Sequence, residues 1–450
     1  MNSNAKIILH LLRYIVPTNT TNMKKICLIA LLCFNFGYAQ DAEVVNWVNK
    51  NAMTIEDANP DTSLTFLKAN DPGIFKDVTL FGFGEATHYT KEFFNLKAKF
   101  FKYLVENEGV TVFMMEESFG HADDINDYLA GGKGNSDELT GLLGFGVWRN
   151  REVQGLITWM KTYNEGKPEA KQLKFYGIDN QFGDKTNVVV KNFITKYNIK
   201  TQPAAAALLD TCSYLDRRYV KDKDLKKYLK QLDALALDIM NGSTAPAKEL
   251  DAVLHALTVL KQSVQHTLQP SSKDRDKAMA DNVSWVLQHE GAGTKAFIWA
   301  HNGHIAKEGL LLRPSMGSYL KAQYGKAYYS MGFSFGYGKL YGQVKDGKRY
   351  KGVLHTIPEP FKESYGAVFS KAAAAVFLLD VKQAQQDAVM KAFLSSNHTT
   401  IDTGGGGYNP LYKGGKEDIA ELYDGLIFVR EISHATYMEE RLPESMRIAK

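Results

Sequence analysis

The sequence predicts an α/β fold with a central, mostly parallel β-sheet flanked by helices. Short apolar runs alternate with amphipathic helical stretches along most of the chain, as in repeated β-α-β units. Residues 203–290 differ, because they are rich in Ala, Leu and Lys and combine helical periodicity with few turn signals. We therefore expect one α/β domain over residues 41–450, with a helical insertion or subdomain at about 203–290.

The most informative unit is a strand, a turn and a helix near residue 85. Four of the six residues of Val78–Phe83 are apolar or aromatic, which predicts a buried strand, and Gly84 marks the turn. Apolar residues recur at helical spacing over Thr90–Glu108. Glu85 and His88 thus lie at the carboxyl end of a strand, where open α/β sheets usually bind ligands.

A lysine interrupts the apolar stripe of the helix that follows. Lys97 comes four residues after Phe93 and four before Phe101, both of which belong to that stripe. Burying an unpaired cation costs free energy, so Lys97 is expected to meet a carboxylate or a substrate. The alternative is that its aliphatic stem carries the ammonium to the surface.

Titratable residues follow three further predicted strands. These are Thr111–Met115 before Glu116 and Glu117, Leu173–Ile178 before Asp179, and Lys295–Ala300 before His301 and His304. Successive strand residues face opposite ways, so only one of the two adjacent glutamates can point at a shared site. Because parallel strands end at the same sheet edge, the pattern predicts a cleft at that edge. The alternative is that His301 and His304 are a chance pair of histidines in the core.

Trp148 and Arg149 precede a predicted helix over Val153–Asn164. They are candidates for the lining of a substrate pocket. The alternative is a structural role for this segment, in which Glu152 stabilises the positive end of that helix.

The N-terminal segment predicts export. Two lysines, an apolar run and a short polar segment occupy residues 24–40, the layout of a signal peptide, and Met23 is the better start. The apolar run is too short for a permanent anchor. We expect residues 1–40, the signal peptide and its upstream extension, to be removed, leaving a periplasmic or secreted protein without a membrane anchor.

The composition of the remaining chain limits the possible partners and sites. Four basic and no acidic residues precede residue 41, so 50 basic and 50 acidic side chains remain. This balance argues against a nucleic-acid partner, which would need a basic surface. Cys212 is the one cysteine left, which excludes an internal disulfide and a cysteine-based metal site.

Carboxylates and imidazoles that converge on one cleft suit the activation of water. His88 would take the proton if Glu85 or Glu116 held its other ring nitrogen. His301 or His304, together with Lys97, would stabilise an oxyanion or protonate a leaving group. The chain has no Gly-x-Ser-x-Gly motif, which argues against a serine hydrolase.

The same residues also fit a metal site. Glu85-x-x-His88 and His301-x-x-His304 offer four oxygen and nitrogen donors, and a divalent ion would lower the pKa of a bound water. Spacing alone does not separate base catalysis from metal catalysis.

Taken together and in order, the motifs resemble those of the erythromycin esterase family from about residue 45 to 435. The matching segments are Gly84–His88, Glu92 with the two phenylalanines that follow, Phe101, Glu116, Trp148-Arg149 with Glu152, Tyr176–Asp179, Trp299–His304, Met316-Gly317, and the segments that begin at Tyr408 and Tyr423.

The resemblance implies an α/β fold with a deep cleft and a hydrolase that opens a macrolide lactone, an activity associated with antibiotic resistance. It implies that His88 activates water, with Glu85, Glu116, His301 and His304 also in the site, and that the reaction needs no metal or other cofactor. More distant relatives of this fold are thought to be metal-dependent. The family usually has Arg where this chain has Lys97, so a bidentate contact would be lost there.

We therefore expect a hydrolase acting on a small-molecule ester or lactone. The expected catalytic residues are His88, Glu85, Glu116 and His301, and the expected substrate-binding or oxyanion residues are Lys97, His304, Trp148, Arg149 and Asp179. One alternative is a metal-dependent hydrolase of an envelope or peptide amide or ester. The other is a non-catalytic ligand-binding protein, whose strand-end acids only pair with Lys97, Arg149 and Arg151.

Overall fold

A computed structural model describes residues 41–64, 67, 73–309, 314–396, 398–405, 407–411 and 414–448. The expected signal peptide and upstream extension, residues 1–40, lie outside these ranges. Within them, no helix has both the length and the apolar character needed to cross a bilayer.

The centre of the fold is a nine-stranded sheet, and the prediction of a mostly parallel sheet flanked by helices is confirmed. Eight of its strands follow the order β1-β8-β11-β6-β2-β5-β3-β4, and β7 pairs with β6. The six strands from β11 to β4 in this order are parallel to one another. A small second sheet pairs β9 with β10. The strands are Met53–Thr54 (β1), Leu80–Phe83 (β2), Val112–Ser118 (β3), Lys174–Asp179 (β4), Ala296–Trp299 (β5), Tyr328–Asp346 (β6), Arg349–Ile357 (β7), Val376–Asp380 (β8), Thr399–Thr400 (β9), Gly415–Lys416 (β10) and Gly425–Ile432 (β11).

Helices connect the strands and cover both faces of the sheet. Over the described residues they are 41–51 (α1), Lys91–Asn107 (α2), Ala122–Leu129 (α3), Ser136–Gly141 (α4), Arg151–Asn164 (α5), Thr186–Lys196 (α6), Ala205–Ser213 (α7), Asp222–Gly242 (α8), Ala247–Leu268 (α9), Ser272–Glu290 (α10), Asn302–Ile305 (α11), Met316–Tyr324 (α12), Tyr365–Phe369 (α13), Val381–Ala384 (α14), Ala388–Leu394 (α15) and Ile419–Leu422 (α16).

Two hydrophobic cores follow from the alternation of side chains along the strands. Phe81 and Phe83 of β2 point into one core, where they meet α2, α3 and α5. Leu80 of β2 points into the other core, which contains residues of α6 to α10 and α12. The strands are thus apolar on both faces, as buried parallel strands are. The helices of the 203–290 region, α7 to α10, pack against one face of the sheet.

Strand β3 extends past its predicted end. The strand predicted to end at Met115 continues to Ser118, and its pairing with β4 shifts register between these two residues. Glu116 and Glu117 therefore lie within the strand, at the irregularity, where neither pairs with a residue of β4. Strand β6 runs to Asp346 and forms an unpredicted hairpin with β7.

Candidate functional site

The candidate site lies at the carboxyl ends of β2, β5, β3 and β4. These four strands are neighbours in the sheet and run parallel, so the residues that follow or end them gather at one edge. Glu85 and His88 follow β2, Glu116 lies near the end of β3, Asp179 ends β4, and His301 follows β5. The sheet thus brings together side chains that lie far apart in the sequence, as the strand-end pattern predicts.

His88 is oriented by the carboxylate three residues before it. His88 Nδ1 lies 2.6 Å from Glu85 Oε1, and Glu85 is fully buried while His88 is 6% exposed. We assign the proton of this contact to Nδ1, because an ionised carboxylate only accepts hydrogen bonds. This tautomer leaves Nε2 of His88 unprotonated and able to take a proton.

Lys97 holds the second oxygen of Glu85. Its ammonium donates to Glu85 Oε2 and lies 4.0 Å from the centroid of the Trp299 ring. The side chain is fully buried, so the helical lysine meets a carboxylate, as expected, and does not reach the surface. Burial lowers the pKa of Lys97 to about 8, although Glu85 opposes the shift. This placement favours a role for Lys97 in holding Glu85 over a role in substrate contact.

His301 lies beside His88. The centroids of the two rings are 4.7 Å apart. His301 Nε2 is 3.1 Å from the carbonyl oxygen of Thr403 and 3.1 Å from Asp402 Oδ1. Burial, together with the neighbouring His88, holds the pKa of His301 well below its usual range, so its imidazole is neutral at pH 7.

Glu116 connects the two histidine segments. Its Oε2 accepts a hydrogen bond from the backbone N–H of His301 at 3.0 Å. Its Oε1 lies 3.3 Å from His304 Nε2 and accepts a hydrogen bond of 2.7 Å from Arg275 Nη2. The same guanidinium group donates to Asp179, which is fully buried. Arg275 therefore joins the ends of β3 and β4.

The charges of this network reinforce one another. Burial alone would neutralise Glu116, but His304 and Arg275 outweigh burial and hold the pKa of its carboxyl well below the usual range. Burial likewise opposes the charge on His304, yet Glu116 and Asp276 raise the pKa of His304 to about 10. His304 Nδ1 lies 2.7 Å from Asp276 Oδ1. At neutral pH the site thus combines a cationic His304 with the neutral His301.

Of the two adjacent glutamates, Glu117 lies outside this network. Its carboxylate accepts hydrogen bonds from the backbone N–H groups of Ser118, Gly144 and Phe145. Burial raises the pKa of Glu117 to about 7. Glu117 therefore holds the loop that leads to Trp148, as expected if only one glutamate faces the shared site.

The side chains of Trp148 and Arg149 have different partners in the structure. The indole N–H of Trp148 donates to the Glu116 carbonyl at 2.8 Å, and its ring meets that of His88 edge to face at 5.3 Å. Trp148 therefore forms a wall of the candidate site. Arg149 donates instead to the carbonyl oxygens of Leu143 and Arg441 and has no recorded contact with the other candidate side chains.

Sequence reasoning missed Arg275, Asp276, Asp402 and Thr403. The sequence does contain a signal for Asp276. This residue lies three positions before Met279 on the buried stripe of α10, and its charge interrupts that stripe as Lys97 interrupts the phenylalanine stripe of α2. Asp402 and Thr403 lie in a glycine-rich segment without periodicity, so no pattern marked them. The backbone N–H of Thr403 donates to the Ala86 carbonyl and fixes this segment across the site.

The donors of the metal hypothesis are already bonded to protein groups. Glu85 bonds His88 and Lys97, and His304 lies between Glu116 and Asp276. Among the residues that the structure describes, no group of three or more His, Cys, Asp or Glu side chains is placed to hold a metal ion.

Comparisons with known sequences indicate the family of this chain. The model of the family described as erythromycin esterase matches residues 105–432. Erythromycin esterase type II of Escherichia coli is 24% identical over 298 residues, which cover 58% of this chain and 70% of that protein. "Putative hydrolase YbfO" of Bacillus subtilis (strain 168) is 25% identical over 441 residues, which cover 86% of this chain and 91% of that protein.

Comparisons with solved structures show the same fold. A protein from Bacillus cereus superposes with a TM-score of 0.76 at 23% identity over 88% of this chain and 98% of its own. A mutant of the erythromycin esterase EreC in its open conformation gives a TM-score of 0.64 at 13% identity, over 85% of this chain and 98% of its own.

The family model spans more than half of the chain, and the fold agrees with a solved esterase of that family. Family membership and the relative named as a hydrolase support a hydrolase with a small-molecule substrate. This chain belongs to the erythromycin esterase family.

Proposed function

We propose that this protein hydrolyses a macrolide-type lactone or a related carboxylic ester by His88-assisted attack of water. The observation that carries the proposal is the contact between His88 and Glu85, which orients the imidazole and leaves its Nε2 free to act as a base. The relative named erythromycin esterase type II supports the macrolide as the substrate class to test first.

The residues suggest a sequence of proton transfers. His88 Nε2 takes a proton from water as the oxygen attacks the ester carbonyl, and Glu85 stabilises the resulting imidazolium. Stabilisation of the oxyanion is assigned to His301 and His304, the imidazoles at the end of β5. When the carbon–oxygen bond breaks, His88 returns the proton to the alkoxide. The net result is the addition of one water, which opens the ring of a lactone.

We further propose that the reaction needs no metal and takes place in the periplasm or outside the cell. The bonded state of the candidate metal donors supports the first point, and the signal-like composition of residues 24–40 supports the second.

The test is incubation of the purified mature chain with erythromycin and with simple esters, each with and without a chelator. We expect the product mass to exceed the substrate mass by one water, at a rate that the chelator leaves unchanged. Activity that is lost with chelator and restored by a divalent ion would contradict the metal-free mechanism. Tight binding of every substrate without any product would contradict hydrolysis itself.

The pH dependence should report on Lys97. Because the pKa of Lys97 is lowered to about 8, its charge is present below this pH and is lost as the pH rises. We expect kcat/KM to fall above pH 8, since Glu85 then loses its cationic partner. In Lys97→Arg, the guanidinium stays protonated and the alkaline decline should move to higher pH.

Lys97→Met is the matched uncharged variant, and its activity should be low at every pH. Folding of both variants is checked by circular dichroism. An alkaline decline at the same pH in Lys97→Arg and in the wild type would contradict the assignment to Lys97.

A further inference from the structure

Residues 433–438, which we call the C-terminal strap, directly follow β11 and bond the amino ends of helices α2 and α5. At α2, the backbone N–H of Lys91 donates to the carbonyl oxygen of Ser433 at 3.0 Å. Ser433 donates in return to the carboxylate of Glu92, through its backbone N–H at 2.7 Å and its hydroxyl at 2.6 Å. Lys91 and Glu92 are the first two residues of α2, where backbone N–H groups have no partner within the helix. The strap thus supplies an acceptor that the end of α2 lacks.

The same contacts recur three residues further along the strap, at helix α5. The backbone N–H of Arg151 donates to the carbonyl oxygen of Thr436 at 2.9 Å, and the backbone N–H of Thr436 donates to Glu152 Oε2 at 3.0 Å. Arg151 and Glu152 are again the first two residues of their helix. The strap therefore bonds both helices through one repeated arrangement of a carbonyl group, a backbone N–H and a glutamate.

Two further bonds extend this repeat to the residues just before each helix. The backbone N–H groups of Ala435 and Met438, again three residues apart, donate to the carbonyl oxygens of Tyr89 and Arg149 at 2.8 and 3.1 Å. Each of these carbonyls lies two residues before the first residue of its helix. The strap thus makes equivalent bonds along two equivalent stretches of backbone.

These two stretches follow two residues of the candidate site. His88 directly precedes Tyr89, and Trp148 directly precedes Arg149. The rings of His88 and Trp148 meet edge to face at 5.3 Å. The hydroxyl of Tyr437 adds a bond of 3.3 Å from the strap to the carbonyl oxygen of His88. The strap therefore joins the backbone of the proposed base to the backbone of the indole that forms a wall of the site.

A simpler role for Glu92 and Glu152 would be electrostatic. Each lies in the first turn of a helix, where the helix dipole favours a negative charge. However, both carboxylates accept hydrogen bonds from the strap, and the side chain of Asn150 already caps α5 by accepting from the backbone N–H of Val153 at 2.9 Å. The contacts with the strap are thus additional to what the helix ends require.

We propose that Glu92 and Glu152 are positioning residues, which act through the C-terminal strap to hold His88 against Trp148. This role rests on the proposed function, in which His88 is the base. The carboxylates bond groups of the strap, so their effect on the reaction is through the orientation of the imidazole. Misplacement of a reacting group by about 1 Å costs a rate factor of about 10².

Steady-state hydrolysis of the best ester by Glu92→Leu and Glu152→Leu tests the proposal. We expect kcat to fall by up to about 10²-fold with little change in KM, because the base is misplaced while the substrate contacts remain. Glutamine keeps an oxygen that accepts from the strap, so Glu92→Gln and Glu152→Gln should recover most of the lost kcat. Glu249→Leu is the matched control, because Glu249 lies in the first turn of α9 and pairs with Lys196 instead of the strap. This control should keep the wild-type kcat.

A milder variant and a measurement without substrate accompany the kinetics. Ser433→Ala removes the hydroxyl bond to Glu92 and keeps the backbone bond, so its kcat should lie between those of the wild type and Glu92→Leu. Nuclear magnetic resonance of histidine-labelled protein reports on the ring of His88, whose Hε1 resonance is identified by its absence from His88→Ala. In both leucine variants we expect this resonance to move toward its position in Trp148→Leu, because the ring leaves the indole.

Wild-type kcat in folded leucine variants would overturn the proposal, as would glutamine variants as impaired as the leucine ones, since charge would then be decisive. If the leucine variants do not fold, wild-type kcat and an unmoved His88 resonance in Ser433→Ala would overturn it. A wild type that hydrolyses no ester would instead refute the proposed function. The His88 resonance would still decide whether the strap positions this ring.

Discussion

Replacing His88 with Ala is expected to lower kcat by about 10²- to 10⁴-fold, the usual contribution of a general base. His88 is the group whose unprotonated nitrogen is oriented by Glu85, and the ring of His301 beside it is bonded to Thr403. Hydrolysis of the best substrate from the ester and macrolide screen measures the effect. The buried pair of Lys97 and Glu85 remains in the variant, so we expect the fold to persist.

His289→Ala is the control for this variant. His289 lies near the end of α10 and pairs with Asp251, away from the candidate site. Its loss should leave kcat unchanged. Turnover by His88→Ala equal to that of the wild type would remove His88 from the mechanism, provided that both proteins unfold at similar temperatures.

Replacing Arg275 with Ala is expected to lower the free energy of unfolding by about 3–5 kcal/mol, because it removes the cationic partner of the buried Asp179 and one of the two cationic partners of Glu116. Arg275 bonds both Glu116 and Asp179, and the side chains of these acids are 7% and 0% exposed. Denaturant unfolding at pH 7 measures the loss. Arg218→Ala is the control, since the Arg218 side chain is 77% exposed in its pair with Asp216 and should contribute no more than about 1 kcal/mol.

The stability deficit of Arg275→Ala should depend on pH. The folded-state pKa of Glu116 is depressed, so its stabilising contribution is present above its unfolded value of about 4.3 and is lost as the pH falls through the folded value. The difference between wild type and variant should therefore be full at pH 7 and shrink only as the pH falls below about 4.3. A difference that does not depend on pH would point to lost packing of the arginine stem.

The sequence alone was sufficient to predict the site residues that lie at or after strand ends. Apolar runs located β2, β3, β4 and β5, and their parallel arrangement brings Glu85, Glu116, Asp179 and His301 to one edge. Lys97 was identified because its charge interrupts an apolar stripe, and the structure gives it a carboxylate partner. Such inferences succeed because strand ends and helical faces have fixed geometry.

The remaining partners depend on tertiary contacts that periodicity does not encode. Arg275 comes from α10, and Asp402 from a loop more than a hundred residues later, yet both reach groups at the strand ends. Arg149 shows the opposite failure, because its position beside Trp148 suggested a pocket residue while its guanidinium bonds backbone carbonyls. Local sequence identified Arg149 but not the direction of its side chain, and it identified neither Arg275 nor Asp402.

The position of β11 has a consequence for synthesis of the protein. This strand, Gly425–Ile432, lies inside the sheet between β8 and β6, although it follows every other described strand in the sequence. Until β11 is made, β6 and β8 each lack one of their two neighbours in the order of the sheet. Each then exposes an unpaired strand edge, which favours association with other chains. A messenger cut short before codon 425 should therefore yield an insoluble polypeptide rather than a weaker enzyme, because that polypeptide lacks the strand that joins β6 to β8.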